Sequence, residues 1–198
     1  MTEKEKMFRH ELYYALEPEM LKERERCKKL CYEYNCILPY DDDEGRLAIL
    51  RKLIGSLGES PRIEPPFWCD FGTYLTIGDH FFSNHDLIIL DSGMVTFGDH
   101  VMLGPSCGFY ASGHPFDVQR RNEGYEYAWP ITVGSNVWFG GGVRVVGGVT
   151  IGDNTIIGAG SVVTKDIPAG TLAAGNPCRV VRELSAEDMK RQWNYGRG

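Results

Sequence analysis

Between residues 133 and 168 the aliphatic side chains recur with a period of six residues. Position one of the successive hexads holds Val133, Phe139, Val145, Ile151, Ile157 and Val163. Glycine occupies position two in four of the six hexads, and position five is small or aliphatic throughout. An α-helix has 3.6 residues per turn and cannot keep one position of a six-residue period on one face. Short strands joined by sharp glycine turns can do so, and the pattern therefore predicts a coil of parallel strands.

The same register is present further upstream, in the pairs Phe71-Gly72, Ile77-Gly78, Phe97-Gly98 and Leu103-Gly104. Residues 113–129 interrupt it with a polar and aromatic segment that is too long for a tight turn. Long interruptions of a repeat usually project from one face and often carry function. We therefore expect a coil over residues 61–181 with a loop, 113–129, that protrudes from it.

Residues 1–60 have a different pattern, with charged residues flanking two stripes of apolar residues at helical spacing. Thr2 and Glu5 match a capping box, and Pro18 is expected to end or kink the first helix. The two stripes predict amphipathic helices that pack on the rest of the protein. They consist of Met20, Cys27, Leu30, Cys31 and Tyr34 and then of Leu47, Leu50, Leu53, Ile54 and Leu57.

The C-terminal segment, residues 182–198, contains Ser185 three positions before Asp188, as at the start of a capped helix. We expect this short helix to cover the open end of the coil, since solenoids need caps at their ends. The sequence thus predicts an N-terminal helical module, a coil with one loop, and a C-terminal helix with a tail.

Composition narrows the class of protein. The 198 residues contain 21 Lys and Arg against 27 Asp and Glu, for a net charge of −6, which argues against a nucleic-acid binder. The chain has no apolar run of the roughly 20 residues that a membrane span needs and no apolar signal segment near its start. We therefore expect a soluble, cytoplasmic protein that binds neither membrane nor nucleic acid. Residues 163–198 are locally basic, with six basic and four acidic side chains.

The six cysteines have no CxxC spacing and no clustered histidines beside them. The sequence therefore predicts reduced thiols and no metal site.

The hexads, read together with the stretches ELYYALEPEMLKERERCKKLCYEYN, EPPFWCDFG and GHPFD, resemble the hexapeptide-repeat acyltransferases. Within that group the chain is similar to the maltose and galactoside O-acetyltransferases, from about Met7 to Arg182. The resemblance implies a mainly β fold, a left-handed parallel β-helix. It also implies a homotrimer with active sites at subunit interfaces, acetyl-CoA as donor, a sugar as acceptor, and no metal requirement.

Transfer of an acetyl group to a hydroxyl needs a general base, and histidine, with an unperturbed pKa near 6.5, suits that task. His114 opens the projecting loop in a Gly-His-Pro motif, where the resemblance places the catalytic base. His80 and His100 follow Gly-Asp and are interpreted as turn residues, whereas His85 stays open. Asn84 matches a family asparagine whose amide helps to stabilise the transition state.

The resemblance also indicates residues on the acceptor side, Asp70, Phe82, Asp91 and Glu126. Phe82 stands where galactoside-type relatives have tyrosine, and many relatives have an aspartate where this chain continues Tyr14-Ala15. Both departures concern the identity of the sugar more than the reaction.

On the donor side, small residues leave backbone N–H groups open to a thioester, and basic residues favour phosphates. The positions that match the family's coenzyme A groove are Trp138, Gly140, Gly141, Ala159, Thr164, Lys165, Arg179 and Arg182.

These features predict a sugar O-acetyltransferase in which His114 activates an acceptor hydroxyl for direct attack on acetyl-CoA. The alternatives are an acetyltransferase of the same fold with another acceptor (an antibiotic, serine or an amino sugar) and a non-catalytic trimeric scaffold. A γ-class carbonic anhydrase would share the coil but needs three converging histidines, and the histidine spacings do not supply that set.

Overall fold

A computed structural model describes residues 1–190 of the chain. The N-terminal module consists of α1 (Glu3–Phe8), β1 (Tyr13–Tyr14), α2 (Pro18–Tyr32), a π-helical turn (Glu33–Ile37) and α3 (Asp43–Leu53). Thr2 and Glu5 form the predicted capping box, and Asp42 caps α3 by accepting a hydrogen bond from Gly45 N. The prediction for Pro18 was wrong: α1 ends at Phe8, and Pro18 is the first residue of α2, where its missing N–H costs nothing.

The coil is built from very short strands, and the connection after its third turn carries one more helix. In chain order the elements are β2 (Ser56–Leu57), β3 (Arg62–Ile63), β4 (Phe67–Cys69), β5 (Leu75–Ile77), β6 (Phe82–Ser83), β7 (Leu87–Leu90), β8 (Val95–Phe97), β9 (Met102–Leu103), β10 (Gly108–Tyr110), β11 (Ser112–Gly113), α4 (Val118–Asn122), β12 (Tyr125–Ala128), β13 (Ile131–Val133), β14 (Trp138–Phe139), β15 (Arg144–Val146), β16 (Thr150–Ile151), β17 (Ile156–Ile157), β18 (Val162–Val163), β19 (Thr171–Ala174) and β20 (Arg179–Glu183). Single 3₁₀ turns lie at Asp91–Gly93 and Asp188–Lys190.

Three sheets form the faces of the coil, and all their pairings are parallel except the antiparallel β19–β20 pair. The first face contains β2, β5, β8, β13 and β16, the second β3, β6, β9, β14, β17, β19 and β20, and the third β4, β7, β10, β15 and β18. The chain visits the faces in this order on each turn. The predicted fold class, a mainly β chain with a left-handed parallel β-helix, is confirmed.

The registers explain the hexad period. Trp138 pairs with Ile156, eighteen residues further on, so that three hexads make one turn. The earlier turns are two residues longer, as in the pairing of Phe82 with Met102. Each hexad therefore supplies one strand and one corner, and position one of every hexad points to the same axis.

The core lies inside the coil. All six position-one side chains, from Val133 to Val163, are buried, as are the six at position five. Phenylalanines also fill the interior: Phe81, Phe97, Phe109 and Phe139 form an edge-to-face ladder with centroid distances of 5.2, 4.8 and 5.4 Å. Such aromatic pairs contribute beyond the area that they bury. His80 and His100 have φ values of 54° and 55°, which confirms them as turn residues.

The structure refines three boundaries. The first coil strand is β2, which begins at Ser56, before the expected start at residue 61. The loop 113–129 is an antiparallel β11–β12 hairpin that carries α4, and β1 of the N-terminal module pairs with its β12 strand. At the C-terminus, Ser185 and Asp188 cap each other as expected, but Asp188 begins only a single 3₁₀ turn within the described residues. The remainder of the predicted helix lies outside the described residues. Within residues 1–190 no helix is long and apolar enough to cross a bilayer.

Candidate active site

Asn84 lies at the corner of the coil that joins the second face to the third. Hydrogen bonds run from Asn84 N to Leu103 O, from Gly104 N to Phe139 O, and from Gly140 N to Ile157 O. Asn84, Gly104, Gly140 and Gly158 therefore stack as one column, which we call the glycine corner. Since neighbouring strands are spaced at about 4.8 Å, Asn84 lies about 10 Å along the coil axis from Gly140.

The side chain of Asn84 is half-buried and held in one orientation. Its Oδ1 accepts a hydrogen bond from the N–H of His85 at 2.8 Å. Its Nδ2 donates to no group within residues 1–190 and is available to a ligand. An amide fixed by one hydrogen bond, with its donor free, is suited to stabilise a developing negative charge.

Of the two predicted cofactor glycines, Gly140 sits in this column and Gly141 follows it directly. A Cβ on Gly140 would lie 2.5 Å from the backbone nitrogen of Ala159, so the glycine allows the turns to stack closely. Gly141 is less confined, because its nearest neighbour would be Pro105 at 3.3 Å. In the described part of the chain, the N–H groups of Gly141 and Ala159 donate no hydrogen bond. They leave a groove of small residues with open backbone donors, which fits a pantetheine arm and a thioester.

The other predicted donor-side residues lie on the second face, after β18 and on β20. Trp138 is 42% exposed on the second face, next to Met102 and a surface pocket of about 400 Å³. Thr164 and Lys165 are exposed after β18. Arg179 and Arg182 lie on β20, and both are exposed.

The two arginines differ in how far they are already engaged. Both guanidinium nitrogens of Arg182 bind the carboxylate of Asp188, at 2.6 and 2.7 Å, whereas Arg179 donates to the carbonyl of Cys178 at 2.7 Å. Arg182 is therefore less available to a phosphate than Lys165, which has no ion-pair partner among the residues described.

A second corner, between the third and first faces, collects the acidic residues. Asp70 follows β4 and Asp91 follows β7, and Ala111 stacks on this column above them through a hydrogen bond from Ala111 N to Leu90 O. We call this column the carboxylate corner. The β11–β12 hairpin leaves the coil here, since Trp129 N returns to bond Ala111 O.

Asp91 is completely buried. Its Oδ1 accepts hydrogen bonds from Asp70 N at 3.1 Å and Phe71 N at 2.9 Å, whereas its Oδ2 has no partner in residues 1–190. Burial raises the pKa of Asp91 to about 6, although the hydrogen bonds from backbone N–H groups oppose the shift. In this conformation the side chain of Asp91 offers no surface to an acceptor, so the predicted direct contact is not formed. Asp70 is half-buried, and burial also raises its pKa, with Arg24 acting in the opposite direction.

Glu126 on β12 completes the acidic group. Its Oε2 accepts a hydrogen bond from the Tyr13 hydroxyl at 2.7 Å and lies 3.8 Å from Nη2 of Arg24. Burial, together with the nearby charge of Glu126, raises the pKa of Tyr13. Glu126 thus anchors the N-terminal module to the hairpin, and within the described chain it makes no hydrogen bond to His114.

Sequence reasoning missed Arg24 and Tyr13. Arg24 donates to Ala15 O at 2.9 Å, its guanidinium lies 5.0 Å from the Phe71 ring centroid, and its Nε is buried without a partner among the described residues. Both side chains lie on segments outside the repeat. The available signal was that some charged residues of an amphipathic helix fall on the face that packs against the rest of the protein.

His114 follows β11 at the base of the hairpin, and its side chain is exposed. In residues 1–190 it makes no hydrogen bond or ion pair, which leaves its imidazole open to an acceptor. The other candidates are engaged: Nδ1 of His85 contacts Pro65 O at 2.5 Å, and Nδ1 of His10 contacts Ala128 O at 3.0 Å. The rings of His80 and His100 stack on each other, with their centroids 4.7 Å apart.

A single copy does not bring all the predicted residues together. Asn84, Phe82 and the cofactor glycines lie at or beside the glycine corner, whereas Asp70, Asp91, Glu126 and the His114 hairpin belong to the carboxylate corner. Strand β7 of the third face separates the two corners. No contact joins Asn84 to His114 within the part of the chain that the structure describes.

Comparison with known proteins agrees with the fold. Residues 6–58 match a family model described as the maltose acetyltransferase hexapeptide capping motif, and residues 130–165 match bacterial transferase hexapeptide repeats. Galactoside O-acetyltransferase of Escherichia coli is 44% identical over 165 residues, which is 83% of this chain and 81% of the relative.

Two solved structures are similar over nearly their whole length. A maltose O-acetyltransferase from Clostridium difficile has 50% identity and a TM-score of 0.91, covering 93% of this chain and 98% of that one. A hexapeptide-repeat acetyltransferase from Vibrio cholerae, in complex with acetyl coenzyme A, has 39% identity and a TM-score of 0.85, covering 93% and 100%.

A hexapeptide coil with this capping module and an open glycine groove defines an acetyl-CoA-dependent acetyltransferase. More particularly, the chain belongs to the maltose and galactoside O-acetyltransferase family. The non-catalytic scaffold is thereby set aside. The one group of residues with metal-ligand spacing in the described chain consists of three cysteines, without the histidines of a carbonic anhydrase.

Proposed function

We propose that the protein transfers the acetyl group of acetyl-CoA to a hydroxyl of a sugar, in active sites formed between copies of a homotrimer. The observation that carries this proposal is the separation of the two corners. The glycine corner of one copy offers the donor groove and Asn84, and the carboxylate corner of its neighbour offers His114 and the acidic residues.

Apolar side chains on the outside of the coil support an assembly. Met102 and Trp138 lie in register on the second face, at 52% and 42% exposure. Trp68 and Ile88 do the same on the third face. Apolar side chains exposed in neighbouring positions are typical of surfaces that another chain covers, and a closed trimer would cover such a face on every copy.

In the proposed reaction His114 takes the proton of the acceptor hydroxyl, whose oxygen attacks the thioester carbonyl. Gly141 N–H and the Asn84 amide donate to the carbonyl oxygen as it becomes negative. When the tetrahedral intermediate collapses, the carbon–sulfur bond breaks and the proton on His114 passes to the sulfur. Trp138, Ala159 and Thr164 line the donor groove, and Lys165, Arg179 and Arg182 face its phosphates.

On the acceptor side, Asp70 is the accessible carboxylate and accepts hydrogen bonds from sugar hydroxyls. Phe82 provides an apolar surface beside Asn84 on the second face. Glu126 and Asp91 act indirectly: Glu126 holds the hairpin in place, and Asp91 holds the backbone of Asp70.

Complementation between inactive variants tests the reaction and the assembly together. His114→Ala and Asn84→Ala should each lose activity, by about 10²–10⁴-fold for the base. Co-assembly of equal amounts should restore about a quarter of the wild-type activity, since one interface in four then pairs an intact Asn84 with an intact His114. Thiol release from acetyl-CoA, with glucose, maltose and galactosides as acceptors, measures the rate.

The matched control pairs His114→Ala with the double variant that carries both changes, which offers no intact interface. Recovery there, or none in the first mixture, would contradict a site shared between copies. A His114→Ala protein with the wild-type rate would contradict the base assignment, and His80→Asn should keep that rate because asparagine tolerates the left-handed corner. Turnover only with an amine, serine or antibiotic acceptor would contradict the assignment of a sugar as the acceptor.

A further inference from the structure

Three buried cysteines meet where α2 packs on the third face of the coil. Cys27 and Cys31 are one helical turn apart on α2, and Cys69 ends β4 opposite them. Cys27 and Cys31 are fully buried and Cys69 is 8% exposed. All three are free thiols, and none belongs to the corners that carry the acetyl transfer.

The three sulfur atoms form a nearly equilateral triangle. The Sγ–Sγ distances are 3.9 Å for Cys27–Cys31, 3.5 Å for Cys27–Cys69 and 3.9 Å for Cys31–Cys69. A point at the centre of this triangle lies about 2.2 Å from each sulfur, close to the 2.3 Å of a zinc–thiolate bond. The side chains are therefore already arranged as a three-sulfur ligand set, and an ion at the centre needs no rearrangement of the backbone.

We propose that Cys27, Cys31 and Cys69 bind one monovalent soft metal ion, Cu(I), in a three-coordinate site that clips α2 to the coil. Sulfur ligands select soft ions such as Cu(I) and zinc. Zinc in a protein takes four ligands, the fourth being a protein group or water. Within residues 1–190 no fourth histidine, cysteine or carboxylate joins the group, and the burial of Cys27 and Cys31 keeps water out.

Anaerobic titration of the reduced, full-length protein with Cu(I), against a chromophoric Cu(I) chelator, tests the proposal. We expect one tightly held Cu(I) per chain, a higher unfolding temperature, and X-ray absorption showing three sulfur neighbours at about 2.2–2.3 Å. Cys27→Ser, Cys31→Ser and Cys69→Ser should each weaken binding by at least about 100-fold, because even outer groups of a metal site contribute 10–100-fold.

Two other cysteines provide matched controls. Cys36→Ser removes an exposed thiol and Cys178→Ser a buried thiol elsewhere, and both variants should bind Cu(I) as the wild type does. The absorption spectrum of the wild-type protein decides the matter even if a triad variant does not fold. Two-sulfur coordination, Cu(I) lost equally to the chelator from all variants, or tetrahedral zinc bound in preference to Cu(I) would overturn the proposal.

Discussion

The glycine corner and the carboxylate corner lie on the same coil, one strand apart, and are built in different ways. At the glycine corner the repeat itself makes the site, since Gly104, Gly140 and Gly158 stack closely and leave backbone donors open. At the carboxylate corner the repeat supplies Asp70 and Asp91, and non-repeating segments supply the rest. Tyr13 and Arg24 reach it from the N-terminal module, and Glu126 from the hairpin.

The difference teaches how a repeat fold acquires chemistry. A corner that recurs on every turn presents the same backbone donors again and again, which suits a long cofactor arm lying along the coil axis. A particular acceptor requires an arrangement that occurs once, and insertions outside the repeat provide it. We therefore expect changes at the glycine corner to affect the transfer step and its cofactor. Changes at the carboxylate corner, apart from those of the proposed base His114, should affect acceptor binding and stability.

After His114→Ala, the largest effect at these corners is expected from Asn84→Ala. Loss of one positioned donor to an oxyanion typically lowers kcat by about 10²–10³-fold, or roughly 3–4 kcal/mol. Since Oδ1 of Asn84 bonds only the adjacent N–H of His85 within residues 1–190, the melting temperature should change little. Steady-state kinetics at saturating acetyl-CoA measure the effect.

Asn154→Gly is the matched control, because Asn154 is a corner asparagine with a positive φ of 55° that glycine adopts freely. It should retain the wild-type kcat. A small effect of Asn84→Ala on kcat, with a large rise in KM for the sugar, would instead assign Asn84 to acceptor binding.

At the carboxylate corner, Asp91→Asn should change how stability depends on pH. The pKa of Asp91 in the folded state is about 6, above its ordinary value of 3.8, so the folded protein binds a proton more tightly than the unfolded chain. The wild type therefore loses stability as pH rises from about 4 to 6. The amide can accept the same two backbone hydrogen bonds without a charge, so the variant should be more stable above pH 7, by up to about 3 kcal/mol.

Urea unfolding at pH 4, 5, 6 and 8 measures this difference. Asp99→Asn is the control, since Asp99 also accepts a backbone N–H, from Asp79 at 2.8 Å, but is exposed. It should leave the wild-type loss of stability between pH 4 and 6 in place. A constant difference between Asp91→Asn and wild type at every pH would show that the charge of Asp91 is not the cause.

The two corners also differ in what the sequence could predict. The hexads placed Val133 to Val163 inside the coil, because a strand-and-corner period leaves one inward position per strand. The hexads also placed the glycines at the corners, because the same period leaves one corner after each strand. The pairing of β1 with β12, and with it the contact of Tyr13 with Glu126, joins segments more than a hundred residues apart and follows from no local pattern.

The three cysteines show the same limit of local sequence patterns. Cys27 and Cys31 share a helix face, which their spacing indicates, but Cys69 joins them only because α2 lies across β4. The prediction that Pro18 ends or kinks a helix was wrong because the sequence alone does not distinguish a proline in the first turn of a helix from one that breaks a helix.

A smaller effect separates two neighbouring glycines. Gly140→Ala places a Cβ 2.5 Å from the backbone nitrogen of Ala159, and backbone cannot move aside as a side chain can. We expect a loss of about 1–3 kcal/mol, the usual cost of overpacking. Gly141→Ala meets only Pro105 at 3.3 Å and should cost less than about 1 kcal/mol. Thermal unfolding of both variants compares them, and equal losses would contradict the close stacking of the glycine corner.

The smallest effects are expected from Lys165→Ala and Arg182→Ala. An exposed lysine contributes about 0.2–1 kcal/mol to an ion pair, so KM for acetyl-CoA should rise by about 1.4- to 5-fold with kcat unchanged. The rise should shrink in high salt, which screens exposed charges. Arg182→Ala should raise KM less than Lys165→Ala, because Asp188 already binds both nitrogens of that guanidinium. Lys52→Ala, on α3, is the control and should not change KM. A larger rise in KM for Arg182→Ala than for Lys165→Ala would mean that the cofactor displaces Asp188 from Arg182. The cofactor site would then extend from the glycine corner to β20.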